Sequence, residues 1–338
     1  MPNNERLRLR AVVDDYLIWM ARVQGSKPGT VRNHKGVLEA LIGHAGNIYP
    51  ENLTIQRTDE FIATRQWSTA TRNVRLGILK QFFSWCRARS YLPRDFDPMQ
   101  GWRRGRVPEQ QRTRIPVDEW AGLFAATNYP VERAVLATGL YLFLRASEQQ
   151  AIQLKHIDLE AGIIRIHRTK TDEWDDMPIS AELDRELRTY LAWYAKQVPL
   201  KGDYYLIPPR IKGSMHRDTD NRLVAGTGLI DPTRAHTKPH LIVQRILGRA
   251  GYPTGKEGEH TLRRSGARAY FDVLVGQGYD GALRRVQAML GHKKSLMTEM
   301  YLGLDLDRHQ RNTDIIGAEM FPGLVTDTAT VVPMREVG

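Results

Sequence analysis

The apolar residues of this chain keep a helical period over most of its length and switch to strand alternation in one short stretch, which points to helices plus one small sheet. From Leu7 to about Leu92 they recur three and four residues apart. Val12, Val13, Tyr16, Leu17 and Met20 mark one helix, and Val31, Leu38, Leu41 and Ile42 face inward on a second that opens at Gly29-Thr30. Thr54 and Asp59 sit before a short helix with Phe61 and Ile62, and Ser68-Thr69 can cap another that carries Val74, Leu76, Leu79, Phe82 and Phe83. Between His156 and Ile179 the pattern switches. Strands are expected at His156–Leu159, Ile163–Arg168 and Asp175–Ile179, with turns at Glu160-Ala161-Gly162 and Thr169–Trp174. The expected fold class is therefore mainly α and multidomain, with a mixed α/β part built on a small antiparallel sheet.

The helical half reads as a bundle over residues 1–101, with four or five short helices and no convincing strand. Residues 102–116 read as a basic linker. They lack a helical period and carry Arg103, Arg104, Arg106, Arg112 and Arg114, which suit a phosphate backbone that they would position rather than read. The second domain is expected over 117–321. Asp118 suits a first helical turn before Trp120, Leu123 and Phe124; Val131–Leu144 reads as a buried helix, and a short one follows from Ser147 to Leu154. Ser180 can cap a helix with Leu183, Leu187, Leu191 and Tyr194 on one face. Residues 201–238, rich in Gly, Pro, Asp and Arg, are expected to form a long surface loop or insertion. Helices return at His240–Gly251, His260–Gly276, Ala282–Leu290 and Ser295–Leu302, and residues 322–338 read as a mobile tail.

Charge and composition narrow the partner. Lys and Arg number 49 against 38 Asp and Glu, a net charge of +11, which favours a polyanion such as nucleic acid or an anionic membrane surface. No apolar run approaches the roughly 18 residues that span a bilayer, and no apolar segment follows the N-terminal charges as in a signal peptide. A single cysteine, Cys86, excludes an internal disulfide and a multi-cysteine zinc site; it reads as helix core. His216, His236 and His240 lack metal-ligand spacing, and Gly226-Thr227-Gly228 lacks the strand and helix of a nucleotide loop. No metal and no cofactor are expected, and the compartment is read as cytoplasmic, where a bacterial host keeps its DNA.

Cleaving a phosphodiester without a metal requires a hydroxyl nucleophile, cations for the charge gathering on the phosphoryl oxygens, and a proton for the leaving 5′ oxygen. Guanidiniums suit the charge because they stay cationic and fork onto phosphate oxygens. A tyrosine, with a pKa of about 10, needs cationic neighbours to act as the nucleophile. His260-x-x-Arg263 places two such groups on one helical face. Leu290-Gly291-His292 ends a helix on a glycine, and Tyr301 stands nine residues after His292. Each piece alone is commonplace; the order and spacing together are not.

Taken together they closely resemble the C-terminal signature of the tyrosine recombinase, or phage integrase, family. The resemblance extends to Leu144-Arg145-Ala146-Ser147-Glu148, with Gly139-Leu140 upstream, to Lys170 in Arg168-Thr169-Lys170-Thr171 between two strands, and to the helical N-terminal half. It departs from many members at Arg264 and Gly303, where histidine is common. What it implies is a helical (SAM-like) core-binding domain and a catalytic domain of the DNA breaking-rejoining type, closing as a C-shaped clamp on duplex DNA. Tyr301 would form a 3′-phosphotyrosyl link, Arg145 and Arg263 would clamp the phosphoryl oxygens, and His292 would add a hydrogen bond. Lys170 would be the general acid, with Arg168 and Lys155 close enough to contest that assignment. His260 would move a proton or orient the phosphate, and Glu148 would hold Arg145. The implied partners are double-stranded recombination sites, three further copies of the chain in a tetramer, and an accessory DNA-bending or directionality factor. Asp307–Met320, with Asp314, Ile315 and Ile316, would pack on a neighbouring subunit. The chain is expected to begin at the core-binding domain without an arm-binding module. Integration or excision of a phage or mobile element is the expected role. The alternatives are a Xer-like chromosome dimer resolvase, a type IB topoisomerase-like enzyme, and a non-catalytic DNA-binding factor.

Overall fold

The structure is a computed structural model that describes residues 6–107, 113–211, 215–217, 223–225, 230–255 and 257–304. Arg112, the Asp307–Met320 segment with Asp314, Ile315 and Ile316, and the 322–338 tail lie outside the described residues. The chain separates into two compact units, Met1–Gln111 and Arg112–Gly338. The fold is mainly helical with a small antiparallel sheet in the second unit.

Four helices build the first unit: α1 (Leu9–Arg22), α2 (Pro28–Ala45), α3 (Ile55–Ala63) and α4 (Thr69–Ala88). Local chemistry fixes their starts. Pro28 occupies the first turn of α2, the Thr54 hydroxyl accepts the Arg57 N–H at 3.2 Å, and the Ser68 hydroxyl accepts the Thr71 N–H at 3.4 Å. Leu9, Val12, Tyr16, Leu38, Leu41, Phe61, Leu79 and Phe82 are wholly buried between them. Val74 points to solvent, because two residues on, at Leu76, the helix has turned its buried face to the core. The first residues of the expected linker lie along this bundle: Asn73 and Gly105 exchange two hydrogen bonds at 2.8 and 2.9 Å, and Lys80 donates to the Trp102 carbonyl at 2.6 Å.

The second unit is organised around one buried helix. It contains α5 (Trp120–Ala125), α6 (Pro130–Tyr141), α7 (Ala146–Gln150), β1 (Ile157–Asp158), β2 (Ile163–Arg168), β3 (Glu173–Pro178) and α8 (Ala181–Gln197). After these come β4 (Met215–Arg217), β5 (Leu223–Ala225), α9 (Pro239–Arg249), α10 (Glu259–Gly276), α11 (Ala282–Leu290) and α12 (Ser295–Leu302). Helix α6 packs against α8, α9 and α10, so it carries apolar residues on every side. Its crossing with α10 is close enough that a Cβ at Gly266 would fall 1.9 Å from the Leu140 carbonyl oxygen. The sheet has the order β1-β2-β3, antiparallel, with Ile164 opposite Met177 and Ile166 opposite Asp175. Ile164, Ile166 and Met177 point into the core.

Five expectations need correction. The short helix expected from Ser147 to Leu154 ends at Gln150, because Gln153 leaves it to bridge Tyr205. Helix α6 stops at Tyr141 rather than Leu144, because Phe143 takes a left-handed conformation (φ 53°) that a helix cannot contain. The first strand is only Ile157–Asp158: His156 closes a 3-10 turn by accepting the Gln153 N–H, and the Asp158 carboxylate takes the Glu160 and Ala161 N–H groups to end it. The third strand starts at Glu173, since Glu173 and Trp174 pair with Arg168 and His167. The 201–238 stretch is not simply a surface loop. Leu206, Ile207 and Ile230 belong to the core, and the hydroxyls of Tyr190 and Tyr194 donate to the carbonyls of Leu206 and Tyr205. Among the described residues no helix is long and apolar enough to cross a membrane.

Candidate active site

The ends of α6, α7, α10, α11 and α12 and the β2–β3 turn bring the expected residues to one place. The break after α6 delivers Arg145 to the N-cap of α7. Glu148, in the first turn of α7, accepts the Arg145 main-chain N–H at 2.9 Å and the Arg145 guanidinium at 2.6 Å. That carboxylate is fully buried and serves more than Arg145. Its second oxygen lies 3.4 Å from the Arg168 guanidinium and 3.5 Å from that of Arg263.

The three guanidiniums also converge on one helix end. Gly291, in the left-handed conformation (φ 61°), stops α11 and leaves the carbonyls of Met289 and Leu290 unused by the helix. Arg168 donates to Met289 at 2.8 Å; Arg263 donates to Leu290 at 2.5 Å, and Arg145 reaches the same oxygen at 3.5 Å. Arg263 also donates to the Phe143 carbonyl, which accounts for the broken end of α6. Cations at a helix C-terminus meet the negative end of its dipole. Arg263 is 1% exposed. Burial, with Arg145 and Arg168 beside it, pulls its guanidinium down to about 10, so it stays cationic at neutral pH.

His292 follows the α11 cap directly. Its Nδ1 lies 3.1 Å from the hydroxyl of the buried Thr298, and its ring meets the Tyr301 ring edge-on at 5.4 Å. Burial first, then Arg263, Arg145 and Lys170, pushes His292 down to about 4, so the imidazole is neutral at neutral pH. The Arg263 guanidinium sits 5.9 Å over the Tyr301 ring. The Tyr301 hydroxyl lies 3.4 Å from the His260 main-chain carbonyl and also has a hydrogen bond from the Arg263 side chain. Burial raises the Tyr301 pKa, while Arg263, Arg264 and Arg145 pull it the other way.

The remaining expected residues stand around this centre. Lys170 lines a cleft of about 440 Å³ together with Arg145, Arg168 and His292. His260 is exposed although Arg263, one turn on, is buried. Of the linker arginines, Arg103, Arg104 and Arg106 are exposed in the first unit. Arg114 is half-buried in the second, so close to Gly303 that a Cβ there would fall 1.5 Å from its guanidinium.

Sequence reasoning gave Arg168 no structural role. The guanidinium is 4% exposed and is the third partner of Glu148. Its signal was the strand alternation itself, since Arg168 falls on the inward side with Ile164 and Ile166. The Arg264 side chain, a departure from the common pattern, acts on Tyr301 by its charge and is held by groups N-terminal to α10 and by the chain before α5. It pairs with Glu257 at 2.8 Å and donates to the Thr113 carbonyl at 3.2 Å, while the Ser265 hydroxyl accepts the Ile115 N–H at 2.8 Å.

Residues 114–308 match the phage integrase family. Tyrosine recombinase XerC of Escherichia coli O139:H28 is 25% identical over 313 residues, covering 88% of this chain and 93% of that one. A lambda integrase fragment, solved as a dimer bound to a COC′ core site, superimposes with a TM-score of 0.62 at 16% identity over 88% of this chain and 95% of its own. XerH site-specific recombinase bound to palindromic difH substrate superimposes with a TM-score of 0.59 at 18% identity, covering 87% and 82%. At these identities the likeness to the solved structures establishes the fold.

Proposed function

Because this chain belongs to the phage integrase family of tyrosine recombinases, we propose that it cuts and rejoins duplex DNA at specific sites through a 3′-phosphotyrosyl link to Tyr301. The observation that carries this reading is the meeting of Tyr301 on α12 and Arg263 on α10 with His292, in the turn between α11 and α12, which lines a cleft together with Arg145 and Lys170. Tyr301 attacks the phosphorus, and the P–O5′ bond breaks. Arg145 and Arg263 offset the charge on the non-bridging oxygens. His292, neutral and oriented by Thr298, donates a hydrogen bond to one of them. Lys170 gives its proton to the leaving 5′ oxygen, and His260, whose main-chain carbonyl lies 3.4 Å from the Tyr301 hydroxyl, moves a proton or orients the phosphate. Fixed guanidiniums supply the charge, and the phosphotyrosyl link conserves the bond energy, so the reaction needs no metal and no cofactor.

The partners are two double-stranded recombination sites held by four copies of the chain, with an accessory bending or directionality factor setting the outcome. Exposed Arg103, Arg104 and Arg106 suit contacts to the DNA backbone. The role is integration or excision of a phage or mobile element. Similarity over 93% of the length of XerC favours one second reading, a Xer-like resolvase with the same chemistry. A nicked suicide substrate carrying the natural site tests the shared chemistry: the wild type should accumulate a covalent protein–DNA adduct and Tyr301→Phe none. An adduct in the phenylalanine variant would remove Tyr301 as nucleophile. Strand exchange between two sites, rather than supercoil relaxation alone, separates a recombinase from a topoisomerase-like enzyme.

A further inference from the structure

Lys170 sits in the four-residue turn between β2 and β3, so the place of its backbone depends on how that turn is held. Arg168 fixes it in two ways. Its main-chain carbonyl accepts the N–H groups of Thr171 at 3.0 Å and Asp172 at 2.8 Å, which closes the turn, with Asp172 in the left-handed conformation (φ 68°). Its side chain runs inward and engages three other elements. It donates to the Met289 carbonyl at the end of α11 at 2.8 Å, lies 3.4 Å from Glu148 on α7, and makes two bonds to Asp175 across the hairpin at 3.1 and 2.7 Å. The Met177 sulfur is a further contact at 3.1 Å. A buried guanidinium with this many partners holds one geometry, as no flexible ammonium could.

We propose that Arg168 is a positioning residue that bolts the root of the Lys170 turn to the arginine cluster, so that its loss cripples proton delivery to the leaving 5′ oxygen and spares attack by Tyr301. The proposal rests on Lys170 as the general acid. Arg168 itself touches no reacting atom. Its influence passes through the turn it closes, whereas Arg145 and Arg263 would act on the phosphate directly.

Replacing the leaving 5′ oxygen by sulfur separates these possibilities, because a thiolate departs without a proton. Single-turnover cleavage of ordinary and 5′-bridging phosphorothiolate suicide substrates would be measured for wild type, Arg168→Met, Arg168→Lys, Lys170→Ala and Arg168→Met/Lys170→Ala. Gel shift and thermal melting would establish which variants are folded and bind DNA. The lysine variant keeps the charge and serves if the methionine variant does not fold. On ordinary DNA the Arg168 variant should be slower by about 10²-fold, the lower end of what a general acid contributes, and on sulfur DNA it should come within about threefold of wild type. The double variant should be no slower than Lys170→Ala alone, since both changes remove one function. Equal losses on both substrates, no loss on either, or multiplicative losses in the double variant would overturn the role given to Arg168. If sulfur fails to rescue Lys170→Ala, Lys170 is not the acid, and the proposal falls with that reading rather than by itself.

Discussion

Glu148 is the one buried carboxylate among three buried or half-buried guanidiniums, which makes Glu148→Gln the sharpest test of how this site is held together. Glutamine has the same shape, so packing is unchanged. Its amide removes the carboxylate charge that Arg145 and Arg263 share among the described residues, and it turns an NH₂ towards a guanidinium that can only donate. Breaking a buried pair by neutralising one partner costs about 3–5 kcal/mol, since the charge left behind stays desolvated. Three cations are left here instead of one, although Asp175, at 2.7 Å, continues to serve Arg168. For a domain of this size each kcal/mol moves the melting temperature by about 2–4 °C, so a fall of roughly 6–20 °C is expected. Calorimetry of the full chain at low salt would read it. Sulfate should restore more stability to the variant than to wild type, because it can supply the lost counter-charge; at 100 times its Kd it adds about 2.7 kcal/mol. A variant that melts within about 1 kcal/mol of wild type, with the same sulfate response, would refute the dependence of the guanidiniums on Glu148.

Gly266→Ala forces a Cβ to 1.9 Å from the Leu140 carbonyl oxygen, so despite the better helix propensity it should destabilise by about 1–3 kcal/mol and slow adduct formation, whereas Gly276→Ala on the same helix meets open space and should be neutral in both assays. His292, held at about 4 against an ordinary 6.5, binds its proton more weakly folded than unfolded. Its contribution to stability should therefore be complete above pH 6.5 and fall away as the pH drops towards 4; imidazole titration by NMR should give a midpoint near 4, and His292→Asn should flatten that part of the stability profile. Gly291→Ala meets nothing closer than 3.9 Å, so its cost should be the left-handed backbone alone, about 1–2 kcal/mol by thermal melting. A larger loss would mean that the Gly291 position is crowded in a way the geometry does not show.

Hydrophobic period carried the helices and the middle strand, and the boundaries matched at Ile163–Arg168, Ala282–Leu290 and Ser295–Leu302. Local spacing likewise brought out the relation of His292 to Tyr301, because one turn and two helical turns separate them. What stayed hidden was long-range. Nothing near Glu148 in sequence announces that Arg168 and Arg263 share its carboxylate with Arg145. The inward phase of Arg168 was visible, but a cation reads as surface until its buried partners are known. The run Tyr204-Tyr205-Leu206-Ile207 held the clue to the buried part of the irregular segment, masked by the Gly and Pro around it. No residue type announced the left-handed Phe143, whose conformation answers to Arg263 on a distant helix.

The same geometry gives a physical meaning to the Leu290-Gly291-His292 motif. A helix that ended by fraying into solvent would spend its last carbonyls on water. Gly291 ends α11 in one residue, with its N–H returned to the Ala288 carbonyl and that of His292 to Gln287, and so the carbonyls of Met289 and Leu290 stay aimed outward as a pair. Three guanidiniums from β2, α10 and the α7 cap bind that pair, and Glu148 binds the same three from the other side. The guanidiniums are thus fixed by protein groups alone, and in the proposed chemistry they would be donors already oriented rather than ones that must be ordered. The residue after the cap is His292, so the turn that aims the carbonyls also aims the imidazole towards Tyr301. Spacing in this motif therefore encodes a fixed relation between helix end, arginines and Tyr301, and inserting one residue between Gly291 and His292, which moves the His292 N–H off the Gln287 carbonyl and the imidazole off Thr298, should abolish adduct formation and lower the melting temperature.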